Sequence, residues 1–528
     1  MGGAGIALTL APHAGATGTT YTVTNTSNSG AGSLRQAIAD ANANAGADTI
    51  VFAPSVTGSI QLLSRLSILD SVTITGPGSG VLTIDASTET SGHRSAFYMY
   101  SGSALLDVTI SGLRVTGADS DIDGGAIASF HTNLTLDSMK IDHNRTAGRG
   151  GAVWTWNHSD HTTVTITNTE MTDNVAGTWG GALAAKTVST GTKDVVVSNS
   201  SILRNETPGL HVQDPTEDWN GGAGIELRMN GNATLTGDVI SDNVIRNGSN
   251  SLGVAVLAAN EGNLVVTDCT VSGNHLDSSV FTRAAMFVAT TGSGHVVTIT
   301  DSTFSDNVAT TTGAFYSRTA NDITINNSTF TGNSSSDHGA GAMHIAEAHS
   351  LTLNQVTISG NTAKGSNSAS DGGGGIAFNT VTTFSLSGTI ISGNHADVAD
   401  RQDVALYLTG SGTMSAMNSM LGSVDSGISV TGTGNIMSTT PGLAPLADNG
   451  GRTKTMALLL SSAAVDSGPL PVATFVGNQF DQRGSGFARV VGARVDMGAF
   501  EYGASPPPST STTSTTAASD PVVPIFTG

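Results

Sequence analysis

Cysteine, basic residues, aromatics and long apolar runs are all scarce in this chain. The single cysteine, Cys269, rules out an intrachain disulfide framework and any cysteine-rich metal site. It occupies a repeat position held elsewhere by Ser or Thr, which marks a small packed residue rather than a nucleophile. Only 21 Lys and Arg stand against 41 Asp and Glu among 528 residues, a formal net charge of -20, and no basic run occurs. A duplex-sized polyanion is repelled by such a chain, which argues against nucleic acid as a partner. No apolar stretch is long enough to span a bilayer, so no membrane span is expected. Glycine, at 66 residues, is plentiful, as are Thr, Ser, Asn and Val. That composition favours tight turns and half-buried strands over helices.

What the chain has in quantity is repetition. A phrase of alternating apolar residues, a polar step, another apolar residue and Asn ends at Asn144, Asn174, Asn205, Asn243, Asn274, Asn307, Asn333, Asn361 and Asn394. The differences between neighbours are 30, 31, 38, 31, 33, 26, 28 and 33 residues. A Gly-Gly-Ala phrase follows several of these Asn turns, as at 124–126, 150–152, 180–182 and 221–223, and opens a further apolar run. Three short strands and three turns in roughly 30 residues make one coil of a parallel β-helix. The expected fold is therefore all-β, a single solenoid of about a dozen coils, each rising about 4.8 Å. The recurrent Asn has a structural task in such a stack: its amide can accept from loop backbone and donate to the next Asn, so a buried ladder is expected.

Both ends depart from the period. Residues 1–16 hold a short apolar run ending Ala14-Gly15-Ala16, which fits a signal-peptide cleavage site without the usual basic start. Export to the cell surface or medium is expected. Residues 17–58 carry a strand and a segment with Leu34, Ala37, Ile38 and Ala41 at helical spacing, suited to capping the stack that runs over 59–440. Residues 441–502 form a compact segment suited to closing the C-terminal end, and 503–528 read as a Ser/Thr/Pro-rich linker.

These motifs resemble known families. FSDN at 304–307 and FTGN at 330–333, alternating with GGAI, GGAV and GGAL, resemble the repeats of polymorphic outer-membrane-type β-helix proteins. GSLRQAI at 32–38 resembles the CSLREAI motif of bacterial right-handed β-helix surface proteins, with Gly32 for Cys and Gln36 for Glu. Residues 445–501 resemble the module called choice-of-anchor Q. The resemblance implies a secreted, surface-associated, right-handed parallel β-helix and does not imply a reaction. The ending Pro524-Ile525-Phe526-Thr527-Gly528 resembles a degenerate sortase signal with one residue too many between Pro and Thr.

Functional residues should lie where the coils refuse to repeat. If the apolar run after Gly-Gly-Ala points Val153, Leu183, Ile225, Val256, Met286, Phe315, Met343 and Ile376 inward, period-two alternation points the next residues outward. Those include Trp154, Glu226, Phe287, Tyr316 and His344; two positions further come Trp156, Lys186, Arg228 and Arg318. With Trp179 and Trp219 in preceding turns, this strip suits a glycan, polysaccharide or other cell-surface ligand, since aromatic faces stack on sugar rings and charged groups bind hydroxyls or acidic sugars. The alternative is that the longer loop at 206–222 covers the strip, or that these residues merely decorate a solvent face. A polysaccharide lyase or glycoside hydrolase acting in a groove along this sheet is the rival class, although Glu226 and His344 lie four coils apart, about 19 Å. Asp119, Asp121 and Asp123 have the spacing of half a Ca²⁺ loop, with Phe130 where the bidentate Glu belongs; otherwise no cofactor is expected. A monomeric rod is the expected assembly.

Overall fold

The computed structural model describes residues 18–505 apart from 90–91, 93, 103, 189, 209–220, 247–250, 260, 278–281, 290–293, 319–321, 338, 365–371, 399–400 and 408–410. Trp219, the N-terminal segment 1–16 and the tail beyond 505 therefore lie outside the described residues.

The repeated phrases wind into a parallel solenoid with three faces. A 25-stranded sheet carries the two longer strands of each coil, such as Val153–Asn157 and His161–Thr167. In two coils these merge into single twelve-residue strands, Met343–Asn354 and Ile376–Ser387. A 14-stranded sheet takes the short strand before each Asn, and a 10-stranded sheet takes two-residue strands just after it, such as Val175–Ala176. Those two-residue strands are too short to leave a periodic signal in sequence. Pairing between coils is parallel and in register: Val153 lies beside Leu183, Ile166 beside Val197 and Met171 beside Ile202. Fourteen stacked strands at the usual strand spacing give a rod of roughly 60 Å.

Like stacks on like in the interior. Phe304 and Phe330 of adjacent coils are parallel, with centroids 4.7 Å apart. The whole inward set, from Val153 to Ile376, is fully buried. The Asn ladder is continuous. In each rung, Oδ1 accepts from both the backbone N and Nδ2 of the preceding Asn; for Asn243, the distances to Asn205 are 3.0 and 3.1 Å. Each Nδ2 also donates to a strand carbonyl one coil back, as Asn243 does to Ile202. The last rung belongs to Asp403, whose Oδ1 accepts from Asn394 N and Nδ2 at 2.9 and 2.8 Å. No further Asn follows to receive a proton there, so an acceptor-only carboxylate serves. Its other oxygen accepts from Ser423 N.

A second ladder runs at the turn before the 14-stranded sheet. Thr169, Ser200, Asp238, Ser302, Ser328 and Ser419 each accept a backbone N–H from the preceding coil. Cys269 stands in this column, donating Sγ–H to Thr267 O. Burial pushes its thiol up to about 12.

At the N-terminal end, Leu34–Ala43 is the helix its spacing predicts. The Ser33 side chain caps it by accepting from Gln36 N, and Leu34, Ala37, Ile38 and Ala41 are buried. The segment from 441 onward, whose sequence suits closing the C-terminal end, lies along the flank of the 14-stranded sheet. Arg452 donates to Asn199, Gln482 bonds Thr303 and Thr329, Arg489 donates to Gln355, and Asn418 donates to Ser467 O. Ile390 and Met420 of the sheet pack with Leu458, Ala464, Met497 and Phe500.

Candidate functional site

The Gly-Gly-Ala turns set the outer face of the large sheet. Gly150 has φ +68°, and a Cβ there would sit 2.3 Å from Val153 O, so the chain folds tightly against its own next strand only with glycine. The column read from sequence is then exact in register: Trp154, Ala184, Glu226, Leu257, Phe287, Tyr316, His344 and Ala377 follow one another coil by coil.

Exposure differs from the expectation. Alternation places these side chains outside the solenoid, yet Trp154, Glu226, Phe287, Tyr316 and His344 are each less than 5% exposed. The physical reason is that the outer face carries a layer of its own. Leu252, Ala284 and Ala289 pack with Leu257, Phe287 and Tyr316 in a small second core. Trp179, itself 4% exposed, has the guanidinium groups of Arg149 and Arg228 at 4.2 and 4.3 Å from its ring and Lys186 Nζ at 5.9 Å. Arg149 also reaches Trp154, and Arg228 pairs with Glu226. Trp154, Trp179, Glu226 and Arg228 are thus brought together under cover.

Farther along, Phe287 stacks on Tyr316, His344 meets Tyr316 edge-on, and Tyr407 lies 4.3 Å from the His344 ring. Arg283 donates to the Tyr316 hydroxyl, and His344 Nε2 is 2.8 Å from Asn379 Oδ1. Burial lowers the His344 pKa to about 4, with the Asn379 bond opposing and Arg283 reinforcing it, so the ring is neutral at neutral pH. Arg318 is exposed at a bulge that sets it opposite Glu347 rather than Ala346. Glu226 and His344 remain four rungs apart, about 19 Å, and do not share a proton-transfer site.

Trp156 belongs to a different group. It continues a run of rings on the accessible part of this face: Tyr98 to Phe130 at 5.4 Å, Tyr100 to Phe130 at 6.1 Å, Phe130 to Trp156 at 6.1 Å and Trp156 to His158 at 5.8 Å. Tyr100 and His158 are exposed, and Tyr98, Phe130 and Trp156 are half-buried. Arg65 lies over Tyr98 at 4.1 Å. Sequence reasoning missed Tyr98, Tyr100 and Arg65, because the first coils lack the Gly-Gly-Ala phrase that aligns the rest. The alternation in AFYMY at 96–100 was the available signal.

Other candidates resolve into structure. Asp119, Asp121 and Asp123 do not converge, and no group of three His, Cys, Asp or Glu side chains among the described residues can hold a metal. Asp123 accepts from Arg149 N. A cavity of about 430 Å³ beside the Asn ladder is lined by Asp173, Arg204, Glu206, Asp242, Arg246 and His275. Its charges answer one another: Arg204 grips Asp173 with two bonds, and Arg246 pairs with Glu206 and Asp277.

Comparison with known proteins decides the architecture. A family model described as right-handed beta helix region matches residues 216–363. The fold is a right-handed parallel β-helix. No curated protein matches the chain. Among solved structures, a GH87 alpha-1,3-glucanase catalytic domain in complex with nigerose is 13% identical, covering 78% of this chain and 69% of that one, with a TM-score of 0.33. The GH87 alpha-1,3-glucanase of Streptomyces thermodiastaticus is 16% identical over 72% and 68%, TM-score 0.29. The mannuronan C-5 epimerase AlgE4 A-module of Azotobacter vinelandii is 13% identical over 79% and 97%, TM-score 0.25. Identities this low carry no residue of those proteins' sites onto this β-helix. Among the described residues, no helix is long and apolar enough to cross a membrane.

Proposed function

We propose that this β-helix is an exported, non-catalytic rod that binds polysaccharide along the outer face of its large sheet. The observation that carries the reading is the accessible run of rings over three successive coils, with Tyr98 and Tyr100 on the first, Phe130 on the second and Trp156 and His158 on the third. Neighbouring rings in this run, tilted against one another by 47° to 77°, offer a polarisable surface on which sugars of an extended chain can pack. The ligand meets Trp156 and its neighbours in the ring run, not the covered cluster of Trp154, Trp179, Glu226 and Arg228.

The test is affinity electrophoresis or a glycan array with Trp156→Ala and Tyr100→Ala, singly and together. Losing one stacked ring should weaken binding about tenfold. Retention equal to that of the parent protein in the double variant refutes the reading. New reducing or unsaturated ends in the same incubations would favour the enzyme instead.

A further inference from the structure

Arg65 is the cation at the accessible end of the ring run, and its placement is built. Its guanidinium lies over the Tyr98 ring at 4.1 Å, one rung from Phe130. The turn that carries it is clamped from below by the N-terminal helix. Arg35 Nη1 donates to Arg65 O at 2.7 Å and Nη2 to Ser64 O at 2.5 Å. The same guanidinium holds Asn28, through Asn28 O at 3.0 Å and Oδ1 at 3.1 Å, and Asn28 Oδ1 accepts from Leu63 N at 3.0 Å. Three consecutive residues, Leu63, Ser64 and Arg65, are thereby fixed by two side chains. Burial lowers the Arg35 pKa, as expected for a guanidinium used structurally.

A guanidinium laid on an aromatic face keeps its N–H edges free of the ring plane, and planar N–H pairs match a carboxylate or sulfate bidentately. Resting on the polysaccharide reading above, we infer that Arg65 and Tyr98 form a subsite for an acidic sugar, with Arg35 and Asn28 as its positioning residues. The net charge of -20 does not oppose this, because a fixed local cation acts within a Debye length of about 8 Å at physiological salt. The helix segment SLRQAI thus acquires a second role besides capping: it aims the specificity residue of the face.

The experiment measures retention of the full chain on immobilised polygalacturonate and dextran, with a single-stranded DNA 20-mer as a third probe. The parent should prefer polygalacturonate, with a preference that falls as salt rises. Arg65→Gln should lower the acidic-to-neutral ratio about tenfold with dextran binding and thermal midpoint unchanged. Arg65→Lys should recover only part of it, lacking the planar fork. Arg35→Lys should reduce the same ratio, while a merely structural effect would weaken both glycans equally. If Trp156→Ala weakens both glycans but Arg65→Gln leaves their ratio unchanged, the acidic subsite is overturned and the glycan reading stands. If neither glycan is retained, the underlying reading fails. If DNA binds as strongly as polygalacturonate and loses binding with Arg65→Gln, the assignment to an acidic sugar is overturned.

Discussion

Replacing Asn243 by Ala removes one rung from the middle of the ladder, and the bonds lost can be counted. Asn243 Oδ1 accepts from Asn205 N and Nδ2, and its Nδ2 donates to Ile202 O and Asn274 Oδ1, all between 2.9 and 3.1 Å. Two of the four partners keep another bond: Asn205 Nδ2 still reaches Met171 O, and Asn274 Oδ1 still accepts from the residue 243 backbone N–H. The Asn205 backbone N–H, fully buried, loses its acceptor, and Ile202 O loses a donor. An orphaned buried polar group costs about 1–3 kcal/mol, and Ile202 O, inside the paired strand Ser201–Leu203, is not orphaned, so the variant should lose about 1–3 kcal/mol. Asn243→Asp should do no better, because a carboxylate cannot donate to Asn274 Oδ1; Asp403 succeeds only where the ladder ends. Urea denaturation followed by circular dichroism measures the loss, and hydrogen exchange read by mass spectrometry should show faster exchange in the peptide containing Asn205. A loss below about 0.5 kcal/mol with that peptide still protected would refute the ladder as a source of stability.

Two buried charges give pH signatures of opposite sign. Lys193 is fully buried in the interior against Thr155, and desolvation lowers its pKa to about 7 from 10.5. Between pH 7 and 10.5 the unfolded chain holds the extra proton, so stability should rise with pH across that window by about 5 kcal/mol and level off above it. Lys193→Met should flatten the curve and be the more stable protein at pH 6; parallel curves for the two proteins would show that the amine does not titrate as argued. Asp238 replaces a hydroxyl in the second ladder, and burial raises its pKa to about 7 from 3.8 against the pull of Ser200 and Thr236 N–H groups. Here the native chain holds the extra proton, so stability should fall as pH rises from 3.8 to about 7, by about 4 kcal/mol. Asp238→Ser should remove that share of the slope in chemical denaturation; an unchanged slope contradicts it.

The solenoid was legible because its chemistry repeats. Nine Asn residues at a near-constant step announce a stack, and the positions that follow Gly-Gly-Ala can be aligned by counting, as the pairing of Val153 with Leu183 and of Trp154 with Ala184 shows. Asp403 escaped the same reading because it stands only nine residues after Asn394 and differs in type. Alternation tells which side of a strand a residue occupies, not what lies over that side. Trp154, Phe287 and Tyr316 are therefore outside the solenoid and still buried, Trp154 with Arg149 over its ring and Phe287 and Tyr316 packed with Leu252 and Ala284. The flank position of residues 441–502 was beyond sequence reasoning for a related reason: its bonds join residues far apart in the chain, Arg452 to Asn199 and Gln482 to Thr303, with no local pattern to mark them.

That flank position governs how the protein meets a mechanical load. A pull on the chain beyond residue 505 does not first peel the last coil from the stack. It reaches the segment 441–505, whose bonds are spread over rungs from Asn199 to Asn418. Bonds loaded side by side share the force, whereas a free end would give way one rung at a time.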